Sequence, residues 1–219
     1  MGREENNDNI INLSNDSQFI NSKKYIDWHS ISLYEDLSES FIGRNKDFVD
    51  WTCISELKKL SEPFIEEHNR FVDWDIISEF QKLSEPFIEK YKEYVNWRYI
   101  SLFQELSEPF IEKYKELVHW ECISDCQKLS EPFIEKNINS IKFKHISKSQ
   151  KLSEPFIEKY KSYLDWSNIS AYQKLSQHFI EEYKERVDWK LILKYQSLSE
   201  NFIRRHKRLT NSKMLLFDK

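Results

Sequence analysis

Tryptophan stands at residues 28, 51, 74, 97, 120, 166 and 189, and the gap in that series, position 143, is filled by phenylalanine. This 23-residue period constrains the fold more than any single motif. A repeat so short cannot bury its own apolar face and must stack on its neighbours. The rest of the repeat keeps the register: isoleucine falls three residues after each aromatic, from Ile31 to Ile192, and leucine nine residues after, from Leu37 to Leu198. Counting the aromatic as place 1, all five prolines (Pro63, Pro86, Pro109, Pro132 and Pro155) fall at place 13.

Apolar residues at places 1, 4, 7 and 10 have the spacing of a helix face and lack the alternation of a strand, so the first half of the repeat predicts a short helix with place 7 facing inward. Asp27, Asp50, Asp73, Asn96, Asp165 and Asp188 precede the aromatic, where each can accept a hydrogen bond from an orphan N–H of the first turn. The second half opens with Leu-Ser-Glu-Pro. Ser61 or Ser84 is the expected N-cap there, Glu62 or Glu85 favours the helix dipole, and proline is tolerated in a first turn. Places 14, 15, 18 and 22, as in Phe87, Ile88, Tyr91 and Val95, again share one helix face. The predicted fold is all-α: an α-solenoid of eight two-helix repeats over residues 28–211, each tryptophan filling the gap between neighbours. With no glycine at the turns, connections of about two to four residues are expected.

The ends depart from the pattern. Residues 1–9 are polar, expected to be disordered, and carry neither a secretory signal nor a lipidation motif. Residues 10–27 read as an N-terminal cap built on Leu13, Phe19 and Ile20, and residues 212–219 as a C-terminal cap with Met214, Leu215, Leu216 and Phe217. The sixth repeat is the weakest: Phe143 replaces tryptophan, Lys142 replaces the acidic cap, and Asn137, Ser140 and Ser149 stand where apolar or aromatic residues are usual.

Composition narrows the function. Only Gly2 and Gly43 are glycine, which leaves no Gly-rich loop to cradle a phosphate and argues against nucleotide enzymes. Aromatics at 15% supply a core in spite of 32% charged residues. Mean hydropathy is −0.73 and no stretch approaches the roughly 18 apolar residues of a membrane span, so a soluble chain without a membrane partner is expected. Cys53, Cys122 and Cys126 make an odd count without a disulfide framework, which suits a reducing, intracellular compartment.

The repeat W-x-x-I-S-x-x-Q-x-L-S-E-x-F-I resembles tandem arrays of large DNA viruses of amoebae, over most of the chain. That resemblance implies a helical repeat fold and a viral origin, with a home in the host cytoplasm or the virion. It brings no catalytic residues to carry over.

The residues themselves point to scaffold chemistry. Glutamine at place 8 (Gln81, Gln104, Gln127, Gln150, Gln173, Gln196) lies on the inward side, and a buried amide must find partners, so a ladder of inter-repeat hydrogen bonds outweighs a recognition role. The place-5 serines, Ser32 to Ser170, are read as permitting close helix approach or bonding back to the preceding turn. His119, Cys122 and Cys126, with His145 one repeat later, form a conceivable metal constellation, but Cys126 occupies place 7 and is expected to be a small core residue. The recurring Glu62, Glu66, Glu85 and Glu89 are read as solvated faces. No catalytic group and no cofactor is expected.

Charge weighs against nucleic acid as the partner of the repeats, because residues 27–203 carry a net −8 whereas a groove that tracks phosphates should be basic. Only the C-terminal patch of Arg204, Arg205, Lys207, Arg208 and Lys213 could serve such a partner. Places 2 and 6 vary from repeat to repeat while places 1, 4, 10 and 14 barely change. A regular scaffold with a varied outer face presents a binding surface. Asp75, Glu79, Arg98, Tyr99, Glu121 and Lys144 are therefore the candidate contacts to another protein, host or viral. The alternatives are a structural or self-assembling component of the virus particle and nucleic-acid binding through the basic C-terminus.

Overall fold

The computed structural model describes residues 26–206, and the sixteen regular elements among them are all helical. One compact body runs through Val95 and a second begins at Asn96. The first holds α1 (Trp28–Tyr34), α2 (Glu39–Arg44), α3 (Trp51–Leu57), α4 (Glu62–Glu67), α5 (Trp74–Phe80) and α6 (Glu85–Lys90). The second holds α7 (Trp97–Phe103), α8 (Glu108–Lys113), α9 (Trp120–Cys126), α10 (Glu131–Lys136), α11 (Phe143–Ser149), α12 (Glu154–Lys159), α13 (Trp166–Tyr172), α14 (Gln177–Glu182), α15 (Trp189–Tyr195) and α16 (Glu200–Arg205). Two helices per 23 residues, with successive first helices side by side within each body, make the chain the expected all-α, helical-repeat solenoid. The readings of residues 1–25 and of the C-terminal cap lie outside the described residues.

Except at α9 and α11, whose preceding His119 and Lys142 make no side-chain capping bond, each helix begins where a side chain satisfies its first turn. Asp50 Oδ1 accepts from the backbone N–H groups of Thr52 and Cys53, and Asp73, Asn96 and Asp188 do the same in their repeats. Serine caps every second helix by accepting from the phenylalanine N–H three residues on, as Ser130 does from Phe133 at 3.3 Å. The first helix stops after seven residues because place 8 turns extended, with ψ near 150° at Gln104 and Gln127. Four residues then lead to the second helix, as predicted. The connection back to the next repeat spans six residues, longer than expected. It continues the helix by one turn, with Val118 N–H bonded to the Tyr114 carbonyl at 3.0 Å.

The core sits on place 4 and place 15. Ile54, Ile65, Ile77 and Ile88 in the first body, and Ile100 to Ile192 at place 4 in the second, are fully buried, each worth about 1.5–3 kcal/mol of hydrophobic stabilisation. Tryptophan is only half buried in most repeats, Trp189 excepted at 1% exposure. The indole does bridge repeats. Trp120 Nε1 donates to the Lys115 carbonyl of the preceding repeat at 2.9 Å while its ring stacks on Phe133 of its own second helix. Polar residues at place 18 bond both within and across repeats: His68 and His206 each donate Nδ1–H to the carbonyl four residues back, and His206 Nε2 and Asn137 Nδ2 also reach Glu181 and Glu112 of the preceding repeat.

Place 7 is where expectation and structure part. Tyr34, Leu57, Phe80, Phe103, Tyr172 and Tyr195 are all exposed, and so is Cys126, which was expected in the core. The buried face consists of places 1, 4, 5 and 8, and at 100° per residue place 7 lies about 110° from its centre.

Candidate functional site

The buried polar residues are committed to holding repeats together. Gln127 Oε1 accepts from the Leu106 N–H at 3.0 Å, and its Nε2 donates to the Ser101 and Gln104 carbonyls at 3.0 and 2.8 Å, all in the preceding repeat. Gln81, Gln150, Gln173 and Gln196 repeat this triple bond within their bodies. The place-5 hydroxyl is spent twice: Ser124 donates to the Trp120 carbonyl at 2.6 Å and accepts from the Lys142 N–H at 3.0 Å. These amides and hydroxyls are the structural ladder the sequence suggested.

The acidic residues of the second helices require a correction. Glu62 is no mere solvated side chain, because its two oxygens accept from the N–H and the hydroxyl of Ser84, the N-cap of the next repeat, at 2.5 and 3.0 Å. Glu39, Glu108, Glu131 and Glu154 hold the following cap serine in the same way. Glu66 is ion-paired with Lys90 of the next repeat. The signal was present in sequence: a serine and a carboxylate both fixed in register 22 residues apart.

The candidate contacts read from the sequence lie on the first helices, and a separate set of exposed apolar residues, Phe48, Phe71, Tyr94, Leu117 and Tyr163, stands at place 21. In α5, Asp75 is exposed and Glu79 partly so. In the second body Arg98, Glu121 and Lys144 occupy place 2 of α7, α9 and α11, helices that lie side by side, and all three are exposed. Tyr99 is half buried, its ring 6.1 Å from that of Phe103. Glu121 lies 3.3 Å from His145 Nε2, so part of this face is paired with itself. Place 7 is the component that sequence reasoning missed. Tyr34 at 78% and Leu57 at 47% bracket the exposure of its large apolar members. Its tolerance of Cys126 and Ser149, beside an isoleucine at place 4 in every repeat, was the available clue. Lysines stand over two of these rings, Lys148 Nζ 6.0 Å from the ring centre of Tyr172 and Lys194 Nζ 4.9 Å from that of Tyr195.

At the C-terminal end Arg204 and Arg205 are exposed at the close of α16, and Arg205 lies 5.8 Å over the Phe202 ring. Lys207, Arg208 and Lys213 lie outside the described residues. Burial raises the thiols of Cys53 and Cys122 above their ordinary range, and partial desolvation with the nearby Asp125 carboxylate raises that of Cys126, the opposite of what a nucleophilic cysteine needs. Cys122 Sγ meets His119 Nδ1 at 3.2 Å, but Cys126 does not join them in a metal-sized cluster. The trio of donors that converges among the described residues is a different one, His29, Asp50 and Cys53.

Compared with family models, curated proteins and solved structures, the chain matches none of them.

Proposed function

We propose that the chain is a noncovalent scaffold that binds another protein along the outer face of its first helices. The observation that carries this reading is the exposed place-7 row of Tyr34, Leu57 and Phe80 in one body and Phe103, Tyr172 and Tyr195 in the other. A contiguous exposed apolar patch marks an interaction surface, and Tyr34, Leu57 and Phe80 stand at the same place of α1, α3 and α5, neighbouring helices of the first body. The variable charges of Asp75, Glu79, Arg98, Glu121 and Lys144 run beside them and would select the partner, whereas the row itself would supply the affinity. Resemblance of the repeat to arrays in large DNA viruses of amoebae supports a viral protein acting in the host cytoplasm or the virion, without enzymatic chemistry of its own.

Affinity capture from infected-cell extracts, read by mass spectrometry, tests the proposal. Replacing Phe80, Phe103 and Tyr172 with serine should abolish capture while helicity stays unchanged. Replacing Asp75, Glu79, Arg98, Tyr99 and Glu121 should change which protein is held. The second-helix residues Glu112 and Lys115 are unsuitable controls, because Glu112 also bonds Lys136 and Asn137 of the next repeat. Lys82, Glu105, Lys128 and Lys151, exposed at place 9, serve better and should leave capture intact. Capture that survives loss of the aromatic row would refute the assignment. The same row also suits self-assembly, and light scattering coupled to size exclusion separates the two readings: a monomer that binds supports the scaffold, and a concentration-dependent oligomer the assembly.

A further inference from the structure

Three side chains of different chemistry meet between the first two repeats. His29 stands at place 2 of α1, Asp50 caps α3, and Cys53 lies in the first turn of α3. His29 Nδ1 is 2.8 Å from Asp50 Oδ2 and 3.8 Å from Cys53 Sγ, and all three donor atoms lie within 4.8 Å of one another. A tetrahedral zinc ion bound at about 2.0–2.3 Å holds its ligand atoms roughly 3.3–3.6 Å apart. The trio needs shifts of well under a side-chain rotamer to meet that geometry. The capping role of Asp50 does not compete, because Oδ1 accepts the two backbone N–H groups and leaves Oδ2 to face His29.

The repeat supplies its own controls. The same three places read Thr52, Asp73 and Ile76 in the next pair, then Asp75, Asn96 and Tyr99, then Arg98, His119 and Cys122. Further on they read Glu121, Lys142 and His145, then Lys144, Asp165 and Asn168, then Ser167, Asp188 and Leu191. Aspartate recurs for capping, but histidine and cysteine join it only once. In the Arg98 pair a guanidinium stands where His29 stands, and it can repel a cation but not bind one.

We propose that His29, Asp50 and Cys53 form a binding site for a borderline-soft divalent cation such as Zn²⁺. Imidazole, carboxylate and thiolate together favour zinc over the hard cations magnesium and calcium, which take oxygen ligands. Three protein ligands leave one position for water, on the side where the His29 side chain is 64% exposed. Cys53, at 8% exposure, closes the inner side. A bound ion would tie α1 to the start of α3 and so pin the first repeat to the second. This site does not depend on the protein-binding reading.

The test uses the full chain without a polyhistidine tag, titrated with Zn²⁺ by calorimetry and with Co²⁺ by absorption. One ion per chain is expected, with a thiolate-to-cobalt charge-transfer band that Cys53→Ser removes and that Cys122→Ser and Cys126→Ser retain. His29→Ala and Asp50→Asn should each weaken Zn²⁺ binding by more than the roughly 10–100-fold that loss of an outer-shell partner costs. His29 is exposed, and asparagine caps α7 in its own repeat, so both variants should fold, as melts in chelator will show. Should Cys53→Ser unfold, His29→Ala decides the matter alone. No uptake, a band lost with Cys122→Ser instead, or unchanged Zn²⁺ affinity in His29→Ala would overturn the proposal.

Discussion

The sixth and seventh repeats share a fold and differ in what begins it. Lys142 makes no capping bond, so the His145 N–H turns to the Lys142 carbonyl at 2.9 Å, whereas Asp165 accepts from Asn168 at 2.9 Å. The Phe143 side chain has no N–H to give, whereas Trp166 Nε1 donates to the Lys161 carbonyl at 2.9 Å. Yet α11 and α13 are both seven residues long, and Ile146 and Ile169 are equally buried. What the repeats keep in common are Gln150 and Gln173 with three inter-repeat bonds each, and Ser147 and Ser170, each donating to a carbonyl of its own helix and accepting from the residue that precedes the next first helix. Backbone groups satisfied across the repeat boundary hold the register, and the conspicuous tryptophan adds to it.

The largest effect should come from breaking what the two repeats share. Gln150→Leu and Gln173→Leu each orphan one buried N–H and two carbonyls of the preceding repeat, at about 1–3 kcal/mol per group, so each variant should lose at least ~3 kcal/mol in chemical denaturation. A Gln150→Leu cost less than half that of Gln173→Leu would show that the sixth repeat does not rely on its ladder.

Restoring the missing cap comes next. Lys142→Asp should stabilise the chain by about 1 kcal/mol and raise amide protection in α11, which should exchange faster than α13 before the change. Equal exchange rates of α11 and α13 in the unaltered chain would remove the contrast. A comparable loss, about 0.5–1.5 kcal/mol, is expected for Trp166→Phe, which makes the seventh repeat resemble the sixth by deleting one hydrogen bond. A loss of several kcal/mol would return tryptophan to the centre of the argument.

The smallest effect concerns acid. Asp125, on the fifth repeat, is held below the usual carboxylate range first by the Ser149 hydroxyl and also by His145, both of the sixth. A carboxyl whose folded pKa is depressed adds stability above its unfolded value near 4, and that contribution disappears as pH falls through the folded value. Lowering the pH below about 4 should therefore loosen α11 more than α13, modestly because the group is partly exposed. Ser149→Ala should shrink this difference, and an α11 as acid-resistant as α13 would contradict it.

Helix pairing, caps, the inward glutamine and the satisfied serine were legible because each rests on interactions within one or two turns, or on a periodicity that counting reveals. Place 7 was misread for a physical reason: a seven-residue helix makes barely two turns, so an apolar residue at its end fits either side of the face until neighbours are placed. The candidate protein contacts at place 2 were recognisable as variable and are indeed exposed, but the aromatic row beside them could be recognised only once the buried face was known to run through places 5 and 8. Glu62 reaching Ser84, and His29 meeting Asp50 and Cys53, join residues 21 to 24 apart that have no local reason to touch. The sequence alone determined the repeat, its helices and the residues that cap them, since those follow from short-range geometry. The stacking of one repeat on the next decided which side chains became ties, which were left in solvent and which three could share an ion.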